Sequence, residues 1–514
     1  MRFQNQTYIK LVPCLPIKPS SVPRPPELNV SVLQRYLPSV QAILSIAANA
    51  VVYAFDPDAS SWDKSGIEGT LFTGNLAFLT ISSVLVLLMI PGVGFFYSGL
   101  ARRKSALQLI LLSMLSVAIV GFQWFFWGYS LTFSRTGNFF LGDLSQFGLR
   151  KTLAQPNGSA SLPDILFCLY QGMFASITPA LAIGAVADRG RVLPAIVFIF
   201  IWSTVVYDPI AYWTWNSNGW LAKLPAYDFA GGGPVHIASG TCALAYSIML
   251  GKRSGYSSTH GLPYRPHSVT NVVLGTVFLW VGWFGFNGGS ALAMNLRAVM
   301  ACYVTNLAAC CAGITWSLLD YRLEKKWSTI GFCSGAISGL VAITPAAGFV
   351  TPWAALVIGV VGGACCNMAT KLKYLVGVDD ALDIFAVHGI GGAVGNLLTG
   401  IFGASYIAGL DGTTFAPIGW IQHHWIQLAY QLAGISAAFG WSFVCSSLLL
   451  FLMNLVPGLS LRVSAAAEDV GIDDSELGEF AYDYVELTRH VADSSLGVVS
   501  STSSTQEKAV SGKP

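Results

Sequence analysis

Nine stretches of this 514-residue chain run for more than twenty residues without a charged side chain: 69–101, 105–134, 165–187, 229–251, 268–296, 298–319, 328–370, 384–410 and 425–455. A tenth, 192–214, is broken only by Asp208. About 20 apolar residues suffice to cross the ~30 Å hydrocarbon core of a bilayer. The run 328–370 is too long for one helix, and Thr344-Pro345 and Thr351-Pro352 divide it into two. The pattern predicts an all-α integral membrane protein with eleven transmembrane helices. Composition agrees: 11% of residues are charged and 54% hydrophobic, against about 25% and 45–50% in soluble domains. A disulfide scaffold, a disordered chain and a nucleic-acid partner are excluded by the same numbers, since a net charge of +2 leaves no electrostatic footprint for DNA or RNA.

The basic residues orient the bundle. With the N-terminus outside, the inner loops hold thirteen Lys and Arg and the outer loops five (Arg135, Arg150, Lys151, Lys223, Arg297). The excess of positive charge on cytoplasmic loops decides for N-out, C-in. From Pro457 onward the chain has 10 acidic and 4 basic residues, a net of −6, which reads as a cytosolic, solvated tail. Four regions follow: an extracellular extension of unassigned role over 1–72, a transmembrane domain over 73–456, a cytosolic segment over 457–492, and a Ser-rich tail over 493–514 that reads as disordered. Within the extension, the uncharged stretch from Leu37 to Phe55 fits a signal-peptide core, an extra helix or a surface segment. Asn5, Asn29 and Asn157 begin glycosylation sequons, of which Asn157 falls in an outer loop.

Of seven histidines, His260, His267, His423, His424 and His490 sit in loops, at helix ends or in the tail. His236 and His388 lie inside spans, where an ionisable group is costly and points to function. A neutral His hydrogen-bonded between helices is the structural alternative. Two facts favour function. His236 is about eight residues, or ~12 Å, from the outer end of its helix, and His388 about five or six residues, or ~8 Å, from the inner end of its own. They also occupy helices five and ten, the last members of two five-helix halves. Tandem odd-numbered repeats run in opposite directions, and an interface between inverted halves is a transporter's site. The expected architecture is therefore two inverted five-helix repeats plus a long eleventh helix.

Acids precede both histidines: Asp228 before His236 and Asp383 before His388. Asp228 opens its helix, where a carboxylate caps free N–H groups. Phe174, Trp215, Trp283 and Phe286, with Ser290, collect in outer helix halves. They fit an interfacial aromatic belt and a cation site equally well. The glycine runs 285–289 and 389–395 read as helix-packing surfaces, and Gly231-Gly232-Gly233 lacks the strand and lysine of a phosphate loop. Ten cysteines without a C-x-x-C pair read as small buried apolar residues, with no metal site, cofactor or enzymatic nucleophile.

Longer motifs carry a resemblance. Pro91-Gly92-Val93-Gly94-Phe95-Phe96-Tyr97-Ser98-Gly99-Leu100 matches in helix 1, and Asp228-Phe229-Ala230-Gly231-Gly232 through His236 in helix 5. Trp283-Phe284-Gly285-Phe286-Asn287 matches in helix 6, and Asp383 through His388 with its glycines in helix 10. Taken together, these resemble the ammonium transporter (Amt/methylammonium permease/Rh) family, most like its fungal two-histidine permeases, over essentially 73–490. The resemblance implies a non-enzymatic plasma-membrane homotrimer, embedded in lipid, that takes up ammonium and methylammonium with high-affinity character for nitrogen utilisation. Trp215, Phe174, Ser290 and Asp228 are then the recruitment site, Phe174 and Phe286 the gate, and His236, His388 and Trp283 the pore. The segment 471–482 resembles the family's regulatory motif, which docks on inner loops and couples subunits, implicating Gly471, Asp473, Glu476, Gly478, Glu479 and Tyr482, with a kinase or signalling partner on the tail; its acidic residues can meet the basic inner loops. Some fungal relatives replace the first histidine by Glu; this chain keeps both. Tyr170 stands where bacterial relatives often carry Phe.

The expected mechanism follows. A cation is drawn in by aromatic faces and loses a proton where an apolar pore disfavours charge. Ammonia then passes two neutral imidazoles, each with one donor and one acceptor nitrogen. Rival readings are an electroneutral gas channel, an ammonium sensor signalling through the tail, and a membrane enzyme using a histidine base.

Overall fold

The computed structural model describes residues 73–153, 162–256, 265–416 and 418–481. The extension 1–72, the three sequons, Tyr482 and the Ser-rich tail lie outside these residues.

Among the described residues, eleven helical segments of 15 residues or more follow one another, matching the expected count. They are α1 (Thr73–Leu100), α2 (Arg103–Phe133), α3 (Asp164–Val186), α4 (Val192–Lys223), α5 (232–250), α6 (Val269–Gly289), α7 (Leu296–Glu324), α8 (Thr329–Ile343), α9 (Pro352–Ala369), α10 (Phe385–Phe402) and α11 (Gln427–Leu455). Nine helices among the described residues are long and apolar enough to cross a membrane. The division of 328–370 falls where the two Thr-Pro pairs put it: α8 ends at Ile343 and Pro352 opens α9.

Some boundaries move. α6 stops at Gly289 rather than 296, and α7 continues through Arg322 to Glu324. Asp208 does not interrupt α4. It is buried inside it and accepts from Gln123 Nε2 of α2 at 2.6 Å, so the helix meets a partnered carboxylate there.

Apolar side chains face outward along these helices: Ile81, Phe122, Leu193, Val277 and Leu448 are all exposed. Such a shell suits acyl chains, because every helix satisfies its own backbone groups. Inward, small residues let helices touch. A side-chain carbon at Gly275 of α6 would lie 2.4 Å from Phe96 N of α1. At Gly240 of α5 it would lie 2.2 Å from Gly389 N of α10. The second contact makes α5 and α10, the closing helices of the two halves, cross backbone to backbone. The 29-residue α11, ~44 Å long at 1.5 Å per residue, packs across both.

The two crossing helices begin alike. Each opens with a π-helical turn, Gly232–Ile237 in α5 and Phe385–Ile390 in α10. Before α5, Asp228 accepts from the N–H groups of Gly231, Gly232 and Gly233 at 2.9, 2.7 and 2.6 Å. Gly231 reaches this arrangement at φ +110°, open to glycine at little cost. The counterpart before α10 is Asp380, not Asp383. Asp380 Oδ2 accepts from Phe385 N at 2.9 Å. Asp383 adopts φ +57° and turns to Lys373 Nζ at 2.7 Å. Asp228 and Asp380 both stand eight residues before their histidines, a match that the pairing with Asp383 passes over.

One end of the bundle gathers the basic loops. Arg253 forks onto Asp379 through Nε and Nη2 at 2.8 and 2.9 Å, and reaches Asp188 with Nη1 at 2.9 Å. Arg189 donates to the Asp379 carbonyl at 2.8 Å. Burial pushes the Asp379 carboxyl up, but the Arg253 fork and the Arg189 charge outweigh it and hold it below the usual carboxylate range.

The acidic segment docks on this end, as its resemblance to a docking regulatory segment implies. Asp473 accepts from Leu107 N and Gln108 N of α2, both at 2.9 Å. Glu476 accepts from Arg191 Nε at 3.2 Å and from Val192 N at 3.1 Å. Each carboxylate thus sits at the positive end of a membrane helix. Gly471, at φ +130°, lies against Lys104. Gly478 closes the turn at φ +64°, while the Glu479 side chain is exposed. Glu468, missed in the sequence, is buried and pairs with Arg462 at 2.7 Å and Arg102 at 3.6 Å.

Candidate functional site

The crossing of α5 and α10 brings His236 and His388 together. Their Nδ1 atoms are 3.2 Å apart, with the rings 5.3 Å centre to centre and 21° from parallel. Both are buried. One neutral ring must donate from Nδ1 and the other accept, so the pair holds complementary tautomers. Trp283 of α6 lies nearly parallel to His236, at 5.5 Å and 18°. Its indole N–H donates to Thr344 Oγ1 at 2.9 Å, which fixes the ring where α8 ends.

The aromatic residues converge rather than scatter. Phe174 and Phe286 lie 4.2 Å apart at 32°, and Phe286 lies 6.0 Å from His236. Trp215 meets Phe174 edge-on at 6.0 Å and 90°. Its N–H donates to the Asp228 carbonyl at 3.1 Å, so one residue caps α5 with its side chain and holds Trp215 with its backbone. Ser290 Oγ donates to Phe286 O at 2.9 Å. Tyr170 contributes more than the sequence suggested. Its hydroxyl lies 2.7 Å from Phe286 O and 3.3 Å from Ser290 Oγ, tying α3 to the end of α6 in a way Phe cannot.

Two cavities flank this stack. One of about 140 Å³ is lined by Trp215, Phe174, Ser290, Phe229 and Gln171 among others. The other, of about 210 Å³, contains Phe286, Trp283, His236 and His388 and extends to Asp383 and Thr370. They share no lining residue and meet where Phe174 packs on Phe286. Of the residues expected for recruitment, gate and pore, Phe174, Trp215 and Ser290 line the first cavity and Phe286, Trp283, His236 and His388 the second, while Asp228 lines neither. Phe229 is an addition: it follows the capping acid directly, the one signal that could have marked it.

Chemically, the line offers ring faces, which attract cations, then an apolar constriction, then ring nitrogens able to exchange hydrogen bonds. Among the described residues no group of His, Cys, Asp and Glu could hold a metal ion.

Comparison with known proteins places this arrangement. The Ammonium Transporter Family matches residues 77–482. A shorter match to the Dcp1-like decapping family, over 25–87, runs into the apolar helix α1 and carries no functional statement. Ammonium transporter 1 of Schizosaccharomyces pombe is 61% identical over 417 residues, covering 81% of this chain and 83% of that protein. Ammonium transporter MEP2 of Saccharomyces cerevisiae is 52% identical over 415 residues, covering 80% and 83%. The crystal structure of Candida albicans Mep2 superposes with a TM-score of 0.75 at 50% identity, covering 77% of this chain and 88% of that one. The relatives are named for transport and not for catalysis, and by sequence and fold together this chain belongs to the ammonium transporter family.

Proposed function

We propose that the protein takes up ammonium and methylammonium across the plasma membrane, with high-affinity character, as a homotrimer with its N-terminus outside and its docked tail in the cytosol. The observation that carries this reading is the unbroken file of Trp215, Phe174, Phe286, His236 and His388. The cation enters the first cavity, drawn by the faces of Trp215 and Phe174, the Ser290 hydroxyl and the field of Asp228. Charge is expelled at the Phe174–Phe286 contact, because an apolar constriction cannot replace the shell of water. Ammonia then passes along Trp283 and the paired imidazoles. The same pair relays the released proton by exchanging tautomers. An alkali ion has no proton to surrender and stops at the phenylalanines.

The test is membrane current from the full-length protein in liposomes stepped from potassium to ammonium. A saturable current with ammonium and none with potassium is the expected result. Ammonia flux without current would replace this mechanism by the gas-channel reading. No flux with correctly folded protein would favour the sensor.

The docked segment 468–479 is proposed to regulate this pore. Glu476→Gln removes the ion pair with Arg191, and Asp473→Ala uncovers two N–H groups of α2. Even an exposed pair contributes about 0–1 kcal/mol, this one is part-buried, and a cap contributes about 1 kcal/mol, so the double variant is expected to weaken docking of the segment. Uptake in cells is expected to shift severalfold, while the ammonium-to-potassium ratio of the reconstituted protein stays unchanged. A changed ratio would place the segment within the pore's own chemistry.

A further inference from the structure

Behind the first cavity lies a charged clasp that the reading so far does not use. Arg297, in the first turn of α7, is 8% exposed and is not among the residues lining the cavity. Its guanidinium carbon stacks on two rings, 4.9 Å from the centre of Phe229 and 4.8 Å from that of Phe349. The edge of the group is hydrogen-bonded elsewhere, through Nε and Nη1. Nε donates to Gly348 O at 2.9 Å, and Nη1 to Asp411 Oδ2 at 3.0 Å and Thr414 Oγ1 at 3.2 Å. Asp411 is itself fixed, accepting from the N–H groups of Thr413 and Thr414 at 2.8 and 2.7 Å. The loop between α10 and α11 thus holds the arginine, and the arginine holds a ring of the cavity wall.

Phe229 is pinned on other sides too. Its N–H donates to Pro345 O at 3.0 Å, and a side-chain carbon at Gly348 would lie 2.1 Å from its Cε2. Arginine suits this task better than lysine, because a planar guanidinium stacks on rings while its rim makes in-plane hydrogen bonds. The stack also has an electrical effect. A ring face binds a cation through its quadrupole, and a ring already carrying a fixed cation binds a second one less well.

We propose that Arg297 is a positioning and specificity residue of the recruitment site: it locks Phe229 as the cavity wall and, by occupying that ring's cation-binding capacity, directs the incoming cation to Trp215 and Phe174. The proposal rests on the reading of this cavity as the entry site for ammonium.

The test measures methylammonium uptake against concentration for Arg297→Met/Asp411→Asn, which removes both charges together, and for Arg297→Lys, Phe229→Leu and Trp215→Leu, each normalised to surface protein. With the stack lost, the half-saturating concentration should change about fivefold, the scale of one well-held cation–ring contact, with the maximal rate kept within about twofold. A fault of folding alone would lower surface protein and maximal rate and leave half-saturation in place. In the Phe229→Leu background the Arg297→Met/Asp411→Asn change should have no further effect on half-saturation, because the ring through which it acts is gone. Should the double variant fail to reach the membrane, Arg297→Lys decides: it keeps the charge but loses the planar stack, and must show an intermediate shift. Unaltered half-saturation in Arg297→Lys and Phe229→Leu, with Trp215→Leu shifted, overturns the proposal and leaves the entry site standing. Unaltered half-saturation in Trp215→Leu overturns the entry site itself.

Discussion

His388→Ala is expected to lower methylammonium flux through the reconstituted protein by about ten- to hundredfold, or to admit potassium, and His236→Ala to do the same. Each change strands the partner's Nδ1, now 3.2 Å from the Nδ1 of the ring on the opposite helix, in a buried place. An unsatisfied buried polar group costs ~1–3 kcal/mol, and each 1.36 kcal/mol is about tenfold in rate. The two losses should not add. Once either ring is gone the donor–acceptor alternation is broken, so the double variant should fall little below the worse single one. Flux, potassium exclusion and trimer assembly on a sizing column are the three readouts. If both single variants transport and discriminate normally, the paired imidazoles have no part in conduction.

Asp228→Ala is the second large effect, and it acts mainly through the fold. The carboxylate takes three backbone N–H groups at the opening of α5, and the side chain of Ala takes none. With ~1–3 kcal/mol for each group left unpaired, the loss approaches the whole stability of a typical domain, about 5–15 kcal/mol. Surface protein should drop at least about tenfold. Asp228→Asn keeps one oxygen acceptor while losing the charge. It is expected to fold with a lowered melting temperature and to carry a weaker field at the recruitment site, seen as a raised half-saturating concentration. Normal abundance and uptake of Asp228→Ala would show that α5 opens without its cap.

Much of this was legible in the chain because membrane helices write themselves in composition. Uncharged runs placed the spans, and the two Thr-Pro pairs located the break between α8 and α9. The histidines stood out because helices five and ten carry no Asp, Glu, Lys or Arg. Convergence was not legible. Whether Trp215, Phe174 and Phe286 form a belt or a file depends on how α3, α4 and α6 rotate, which no residue count records. Asp383 misled because it lies nearer to His388 than Asp380 does, whereas capping geometry depends on distance from the first free N–H groups. Arg297 looked like one more outer-loop charge. Its aromatic partners are 52 and 68 residues away in sequence, and only the folded chain stacks them. The docking of the acidic segment on basic inner loops was legible from its motif and charge, but the particular contacts were not, since Asp473 and Glu476 also take the backbone ends of α2 and α4.

The near-contact of Gly240 with Gly389 has a consequence for how the protein can work at all. Many carriers rock one half of the molecule against the other to expose their cargo alternately to each side. Here the closing helices of the two halves touch at Gly240 and Gly389, backbone against backbone, with no side chain between them to act as a bearing. A rocking stroke would have to tear this joint apart, together with the histidine pair seated on it. On the function proposed above, traffic then runs through a stationary conduit, in which only rings, protons and water rearrange. On the mechanism proposed above, turnover is then governed by the shedding and regaining of a proton rather than by the swing of a domain.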